Sequence, residues 1–130
     1  LGWAPGKWWF RRGRVIRNLI RDSKADDFLL GDTTLRPILW MMPFLMRRAR
    51  HMGHRIMAGS DPLPFAGDER IMGTYGFSMP CVFDERRPAG SFRIALLTGG
   101  DIRFAGRRCG PSVVFRRLAA NEAVRKNAKR

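Results

Sequence analysis

Cysteine is almost absent from this chain of 130 residues, where Cys81 and Cys109 are the only two. Two thiols that far apart build no disulfide framework and match no zinc-ligand spacing, so both are expected reduced, in a cytoplasmic setting. Long apolar runs are missing as well. The longest nearly uncharged stretch, residues 37–46, falls well short of the roughly 20 residues a membrane-spanning helix requires, and no membrane span is expected. Acidic residues are scarce: 11 Asp plus Glu stand against 25 Lys plus Arg, which leaves a formal net charge of +14. Of the basic residues 21 are Arg, a bias that a GC-rich genome would produce as readily as selection for phosphate contacts, so it assigns no function by itself. No internal repeat, low-complexity tract, helix-turn-helix spacing, zinc knuckle or RNP element is present.

What the chain does have is apolar material. Hydrophobic residues make up 45%, with four Trp and nine Phe, which is enough to bury a core and excludes wholesale disorder. The length allows one domain at most.

The first half reads as alternating elements. Residues 8–21 place Val15, Ile16, Leu19 and Ile20 on one face with arginines opposite, and predict an amphipathic helix. Phe28-Leu29-Leu30 is a short apolar run that stops at Gly31-Asp32-Thr33-Thr34, the pattern of a buried strand and its loop. Residues 35–50 predict a second helix, with Pro37 in its first turn, Pro43 kinking or splitting it, and Arg47, Arg48 and Arg50 at its carbonyl end. Gly53 suits its stop. Arg55-Ile56-Met57-Ala58 then forms a second strand that ends at Gly59-Ser60-Asp61-Pro62. Strand, helix, strand is the right-handed βαβ unit, whose strands are parallel and whose carboxyl ends share one side of the sheet.

That topology brings two carboxylates together. Asp32 and Asp61 each follow an apolar run and a Gly, and each is expected at a strand tip, where α/β folds build their sites. A carboxylate there ligates a divalent metal, or acts as a general base when burial and a like charge raise its pKa. For zinc, imidazole ligands are expected beside it. The plainer alternative for Asp32 is a helix cap or an Asx turn with Thr33 and Thr34.

The stretch from Gly53 to Pro64, with Gly59-Ser60-Asp61-Pro62 at its centre, resembles the last barrel strand and following loop of TIM-barrel metal-dependent hydrolases of the amidohydrolase and PHP type. The resemblance covers residues 10–77. It implies that Asp61 binds a divalent metal ion, zinc among the candidates, or takes the proton from the attacking water of a small-molecule hydrolysis. It also implies that Phe28 to Pro37 is the preceding strand and loop, with Asp32 and Arg36 facing the same mouth. The family's His-x-His and its further histidines have no counterpart in His51 or His54, so the resemblance implies an upstream sequence that supplies the rest of the barrel. The expected fold class is therefore α/β: the C-terminal βα units of a TIM-like barrel, unclosed within this chain, over residues 1–102, followed by a basic helical tail over residues 103–130.

After Asp61, Asp68 and Glu69 suit the positive end of a short helix, and the Gly-rich segment 65–77 reads as a lid from which Arg70 and Tyr75 hold substrate. His51 and His54 are expected at an exposed helix terminus, while Trp40, Met41, Met42 and Met46 read as core filler. Residues 79–88 read as loop, 90–97 as a short helix and 102–111 as a strand-like stretch running into an Arg-rich turn.

The tail carries nine basic residues against the single acid Glu122. Val113, Val114, Phe115 and Leu118 form a short apolar stripe with Arg116, Arg117, Arg125 and Lys126 turned outward, in a helix that frays after Asn121. A second function class follows from this: a small basic protein that binds nucleic acid through phosphate contacts from Arg107, Arg108, Arg116 and Arg117.

Overall fold

The computed structural model describes residues 2, 3, 6, 8–98 and 101–128. It is a mixed α/β structure with four helices and two small sheets, and the described strands close no barrel.

Helix α1, Phe10–Asp22, has no acid in its first turn and no side-chain cap, so its own termini contribute little. Packing holds it instead: Ile20 is fully buried, Gly13 lies under the Trp8 carbonyl, and the arginines face outward. Strand β1, Leu30–Thr33, pairs in parallel with β2, Ile56–Gly59, in the register Leu30 to Ile56 through Thr33 to Gly59. On its other side β1 receives the Trp3 amide at the Gly31 carbonyl, 2.9 Å away. Helix α2, Phe44–His51, makes the crossover. Trp3, Trp8, Ile20, Leu30, Met46, Ala49 and Ile56 form the core between these elements.

The second sheet pairs β3, Tyr75–Ser78, with β4, Arg103–Gly106, in antiparallel fashion. Helix α3, Pro88–Thr98, lies between them in the chain, and α4, Pro111–Asn127, follows. The 3-10 turn Asp68–Ile71 precedes β3.

Several sequence expectations are corrected. Strand β1 starts two residues later than the apolar run, so Asp32 lies inside it. Helix α2 begins only after Pro43, because a proline inside would remove a hydrogen bond and clash with the preceding turn. Residues 65–77, read as a lid, contain most of β3, and α4 continues to Asn127 rather than fraying after Asn121. The β3–β4 pairing also crosses the division expected at residues 102 and 103. His54 is buried, not exposed: its Nε2 stands 3.3 Å from the Ile20 carbonyl and its ring stacks on Phe28 at 4.5 Å. Trp40 and Met41 are exposed rather than core filler, while Met46 is fully buried.

Gly106 closes the β3–β4 pair in a conformation few other residues adopt. Its φ is +77°, and a Cβ added there would meet the Thr74 carbonyl oxygen at 2.1 Å. Gly106→Ala is expected to destabilise the protein by about 1–3 kcal/mol, read as a lower urea midpoint. An unchanged midpoint would show that this turn relaxes without cost.

Candidate functional site

Because β1 and β2 are parallel, their carboxyl ends emerge together, and two buried ion pairs are built around them. The first belongs to β1. Asp32 is fully buried opposite Ala58. The chain turns straight after the strand, with the Arg36 amide donating to the Thr33 carbonyl at 3.0 Å. That turn lays the Arg36 guanidinium over Asp32: Nε donates to Oδ1 at 2.7 Å and Nη2 donates to Oδ2. The Tyr75 hydroxyl, arriving from β3, donates to Oδ2 at 3.0 Å. Asp32 therefore neither caps a helix nor stands free.

The loop after Arg36 explains why no helix starts at Pro37. The Trp40 amide closes a turn on the Pro37 carbonyl at 2.9 Å, and guanidinium donors take the loop's carbonyls in place of amides four residues on. Arg36 donates to the Trp40 carbonyl at 2.5 Å. Arg108 donates to the carbonyls of Pro37, Ile38 and Trp40 at 3.4, 3.2 and 3.3 Å. Burial, and then the charge of Arg36, lower the Arg108 guanidinium from its ordinary value. Burial, with the Asp32 carboxylate beside it, pushes the Tyr75 phenol up to about 12.

The second ion pair reaches in from α4. Arg117 is 4% exposed. Its Nε donates to Asp68 Oδ1 at 2.6 Å and its Nη2 to Oδ2 at 2.8 Å. Nη1 donates to the Thr34 hydroxyl at 2.8 Å and faces Cys109 Sγ at 3.8 Å, while Nη2 also reaches the Asp61 carbonyl at 3.0 Å. The Thr34 hydroxyl in turn donates to the Ser60 carbonyl. Burial alone would raise the Asp68 carboxyl, but the Arg117 bonds and the Leu63 amide outweigh it and hold it below the usual carboxylate range. For Arg117 burial works downward, and the bonds to Asp68 overcome it and raise the guanidinium.

Asp61 lies two residues beyond β2, beside the second pair. Its φ is +48°, a left-handed conformation that is uncommon outside glycine and for which short polar residues are best suited. Arg117 fixes its carbonyl, and its side chain is exposed to solvent. The Gly73 amide donates to Ser60 Oγ at 3.2 Å, so the segment ahead of β3 does lie against this loop.

The remaining sequence candidates fall into two groups. Tyr75, Arg36 and Asp32 come together, each bonded to another of the three. Arg70, Arg107 and Arg116 are exposed. Arg117, expected to face outward, is buried because it shares a face of α4 with Val114 and finds Asp68 there; Arg108 is likewise occupied by backbone carbonyls. Asp68 and Thr34 are site residues that sequence reasoning missed, and only the three-residue spacing of Val114 and Arg117 signalled the inward arginine.

Among the described residues no three His, Cys, Asp or Glu side chains converge as a metal site. Asp61 offers one oxygen ligand, and Asp32 offers none while Arg36 and Tyr75 hold it. A metal set drawn from these residues alone does not fit. No protein family, curated protein or solved structure matches the chain.

Two outcomes follow. Arg117→Met leaves the Asp68 carboxylate buried without its counter-charge, and a loss of about 3–5 kcal/mol is expected in urea unfolding; a loss below about 1 kcal/mol would show that Asp68 is rehydrated easily. Tyr75 is the only tyrosine, so phenolate absorbance reports it alone. Its midpoint is expected near 12, and Asp32→Asn should lower it only in part, because burial, the larger cause, remains. Since the folded state holds this proton more tightly than the unfolded one, stability is full below pH of about 10 and falls as pH rises through the folded value. A wild-type midpoint near 10 would contradict the buried contact with Asp32.

Proposed function

We propose that the carboxyl end of the β1–β2 pair is the base-bearing part of a hydrolase site acting on a small molecule, with Asp61 as its catalytic carboxylate. The observation that supports this reading is the placement of Asp61. It sits past the end of a parallel strand in a left-handed conformation, with its backbone held by a buried arginine and its carboxylate left to solvent. Backbone strain over-determined by its surroundings is characteristic of functional positions, and strand ends are where such folds place their chemistry.

The step assigned to Asp61 is proton transfer. Its carboxylate takes a proton from a water molecule, the water oxygen forms the new bond to the electrophilic carbon or phosphorus of substrate, and the bond to the leaving group breaks with its electron pair on the leaving group, which takes the proton back from Asp61. The divalent metal ion implied by the hydrolase resemblance would need ligands beyond those that the described residues bring together. Asp32 and Arg36 act here as a neutralised floor. They position the loop at residues 37–40 and leave Asp61 as the open carboxylate. The nucleic-acid alternative rests on Arg107 and Arg116, which are exposed, since Arg108 and Arg117 are engaged internally.

In the full-length protein Asp61→Asn is expected to reduce hydrolysis across a panel of esters, amides and phosphate esters by at least about 100-fold, with unchanged circular dichroism. Full activity in that variant, or no hydrolysis of any panel member by the wild type, overturns the reading.

A further inference from the structure

The segment between Arg36 and α2 is apolar, yet most of it lies outside the core. Residues 37–43 form no helix, and Arg36 and Arg108 hold carbonyls within them while the Ile38 amide donates to the Cys109 carbonyl at 2.9 Å. The Trp40 ring packs edge-on against buried Trp3, with centroids 5.8 Å apart. The backbone is thus fixed from inside, while the side chains of Leu39 and Met41 are 83% and 77% exposed. Two clefts flank this segment and share Trp40. One, of about 550 Å³, is lined from the loop by Leu39 and Trp40 and from α4 by Val114, Phe115 and Leu118. Those α4 positions recur at helical spacing and make one apolar stripe. The other, of about 320 Å³, has Trp9, Arg17 and Phe44 in its lining beside Trp40. Exposed apolar surface therefore runs from Trp9 and Phe44 through Trp40 to Phe115.

The charge along this surface is of one sign. Neither cleft is lined by an acid. Arg17 lines the second cleft, Arg116 follows Phe115 on α4, and Arg47 and Arg48 stand one turn beyond Phe44 on α2; all four are exposed. Glu122, the single acid of α4, is paired with Arg125 at 3.7 Å. A second copy of the chain docked here about a two-fold axis would set these arginines against their own counterparts, so the charge disfavours self-association. Shape narrows the partner further. Leu39, Phe44 and Phe115 are 66–83% exposed, so a folded protein would need a matching hole for each, whereas the boundary of a lipid bilayer deforms around them. Trp9 and Trp40, about half exposed, are the side chains that suit the level of the lipid headgroups.

We propose that this face docks the protein on an anionic membrane surface. It lies on the bilayer and does not cross it, since no helix among the described residues is long and apolar enough to do so. Leu39, Phe44 and Phe115 enter the boundary between headgroups and acyl chains, Trp9 and Trp40 lie at headgroup level, and Arg17, Arg47, Arg48 and Arg116 meet the lipid phosphates. The net charge of +14 draws the protein to such a surface, and the apolar side chains hold it there. Because the loop at residues 37–43 is already tied down by two arginines and by Trp3, it loses little freedom on docking. The proposal does not depend on the hydrolase reading.

The test mixes the full-length protein with vesicles of phosphatidylcholine alone, or of an equal mixture of phosphatidylcholine and phosphatidylglycerol, and reads co-sedimentation and tryptophan emission. Trp3 and Trp8 are buried already, so a blue shift on binding reports Trp9 and Trp40. Binding to the anionic vesicles is expected at least about tenfold stronger than to the neutral ones, a difference that shrinks as sodium chloride is raised. Leu39→Ser combined with Phe115→Ser should weaken it at least about tenfold, and Arg17→Gln combined with Arg116→Gln should weaken binding to the anionic vesicles alone. All four side chains are exposed, and unchanged circular dichroism is expected of both variants. Val82, 95% exposed beside a cleft that shares no residue with these two, is the control, and Val82→Ser should change nothing. Absence of binding to anionic vesicles, equal binding to neutral ones, or equal weakening by Val82→Ser overturns the proposal. Binding that survives Leu39→Ser with Phe115→Ser also overturns it, since charge attraction alone is not docking by this face. Dimerisation, or binding of soluble polyglutamate, that the same pair of substitutions abolishes while no vesicle is bound assigns the face to a second copy or an acidic protein and overturns it equally.

Discussion

A single guanidinium ties together the parts of the chain that surround Asp61. Arg117 comes from the last helix, yet its donors reach Thr34 after β1, the Asp61 carbonyl after β2, and the Asp68 carboxylate in the following turn. A lysine has no fork to bond two carboxylate oxygens and keep donors for a hydroxyl and a carbonyl. The loops after β1 and β2 are short and irregular, and each must place its backbone polar groups somewhere. Arg117 takes one of those groups, the Asp61 carbonyl, together with the Thr34 hydroxyl, and is itself neutralised by Asp68. Without it, α4 would be attached to the strand ends mainly through Val114 and its few apolar neighbours.

The same logic recurs on the other side of β1. Arg36 neutralises Asp32, and Arg108 gathers the loop carbonyls that no helix collects. Buried ion pairs of this kind add little net stability over a well-packed apolar core, because desolvation offsets most of the attraction. What they add is geometry. Each fixes a loop at the carboxyl end of a parallel strand, where an apolar contact would hold the same segment less directionally. Asp32 accepts from three donors, two from Arg36 and one from Tyr75, so most of its acceptor capacity is committed. A structural carboxylate and a reactive one are separated here by what surrounds them, since both occur in nearly the same local sequence, Gly31-Asp32 and Gly59-Ser60-Asp61.

Local sequence carried much of the parallel unit. The two short apolar runs and the basic end of α2 are short-range patterns, and each appears close to its expected place; α1 also forms, but Val15 and Leu19 of its expected apolar face are exposed and Ile20 carries the burial. The elements that escaped depend on distant partners. Tyr75–Ser78 contains only one strongly apolar residue besides Tyr75, and it is a strand because β4 lies beside it, with Gly106 allowing close approach to Thr74. His54 is buried because Phe28 and the Ile20 carbonyl come to it from elsewhere. Arg117 finds its acid 49 positions earlier in the chain, a pairing no periodicity announces. Asp32 and Arg36 are only four residues apart, and the turn after β1 brings them together where a helix was expected to begin at residue 35.

These pairings decide which acidic group near the strand ends is available for chemistry. Three aspartates lie in this region, and arginines claim two of them. A buried carboxylate held by guanidinium and phenol donors is poorly placed to take a proton from water, because protonating it weakens its ion pair. Asp61 carries no such debt: its side chain is exposed, and the arginine beside it bonds its carbonyl rather than its carboxylate. Its conformation also matters. A glycine would adopt φ of +48° more easily, so holding an aspartate there trades backbone ease for a carboxylate at a fixed point. The buried network around Arg117 is what makes that trade tolerable, since it constrains the backbone on both sides of the residue while leaving the side chain itself untouched.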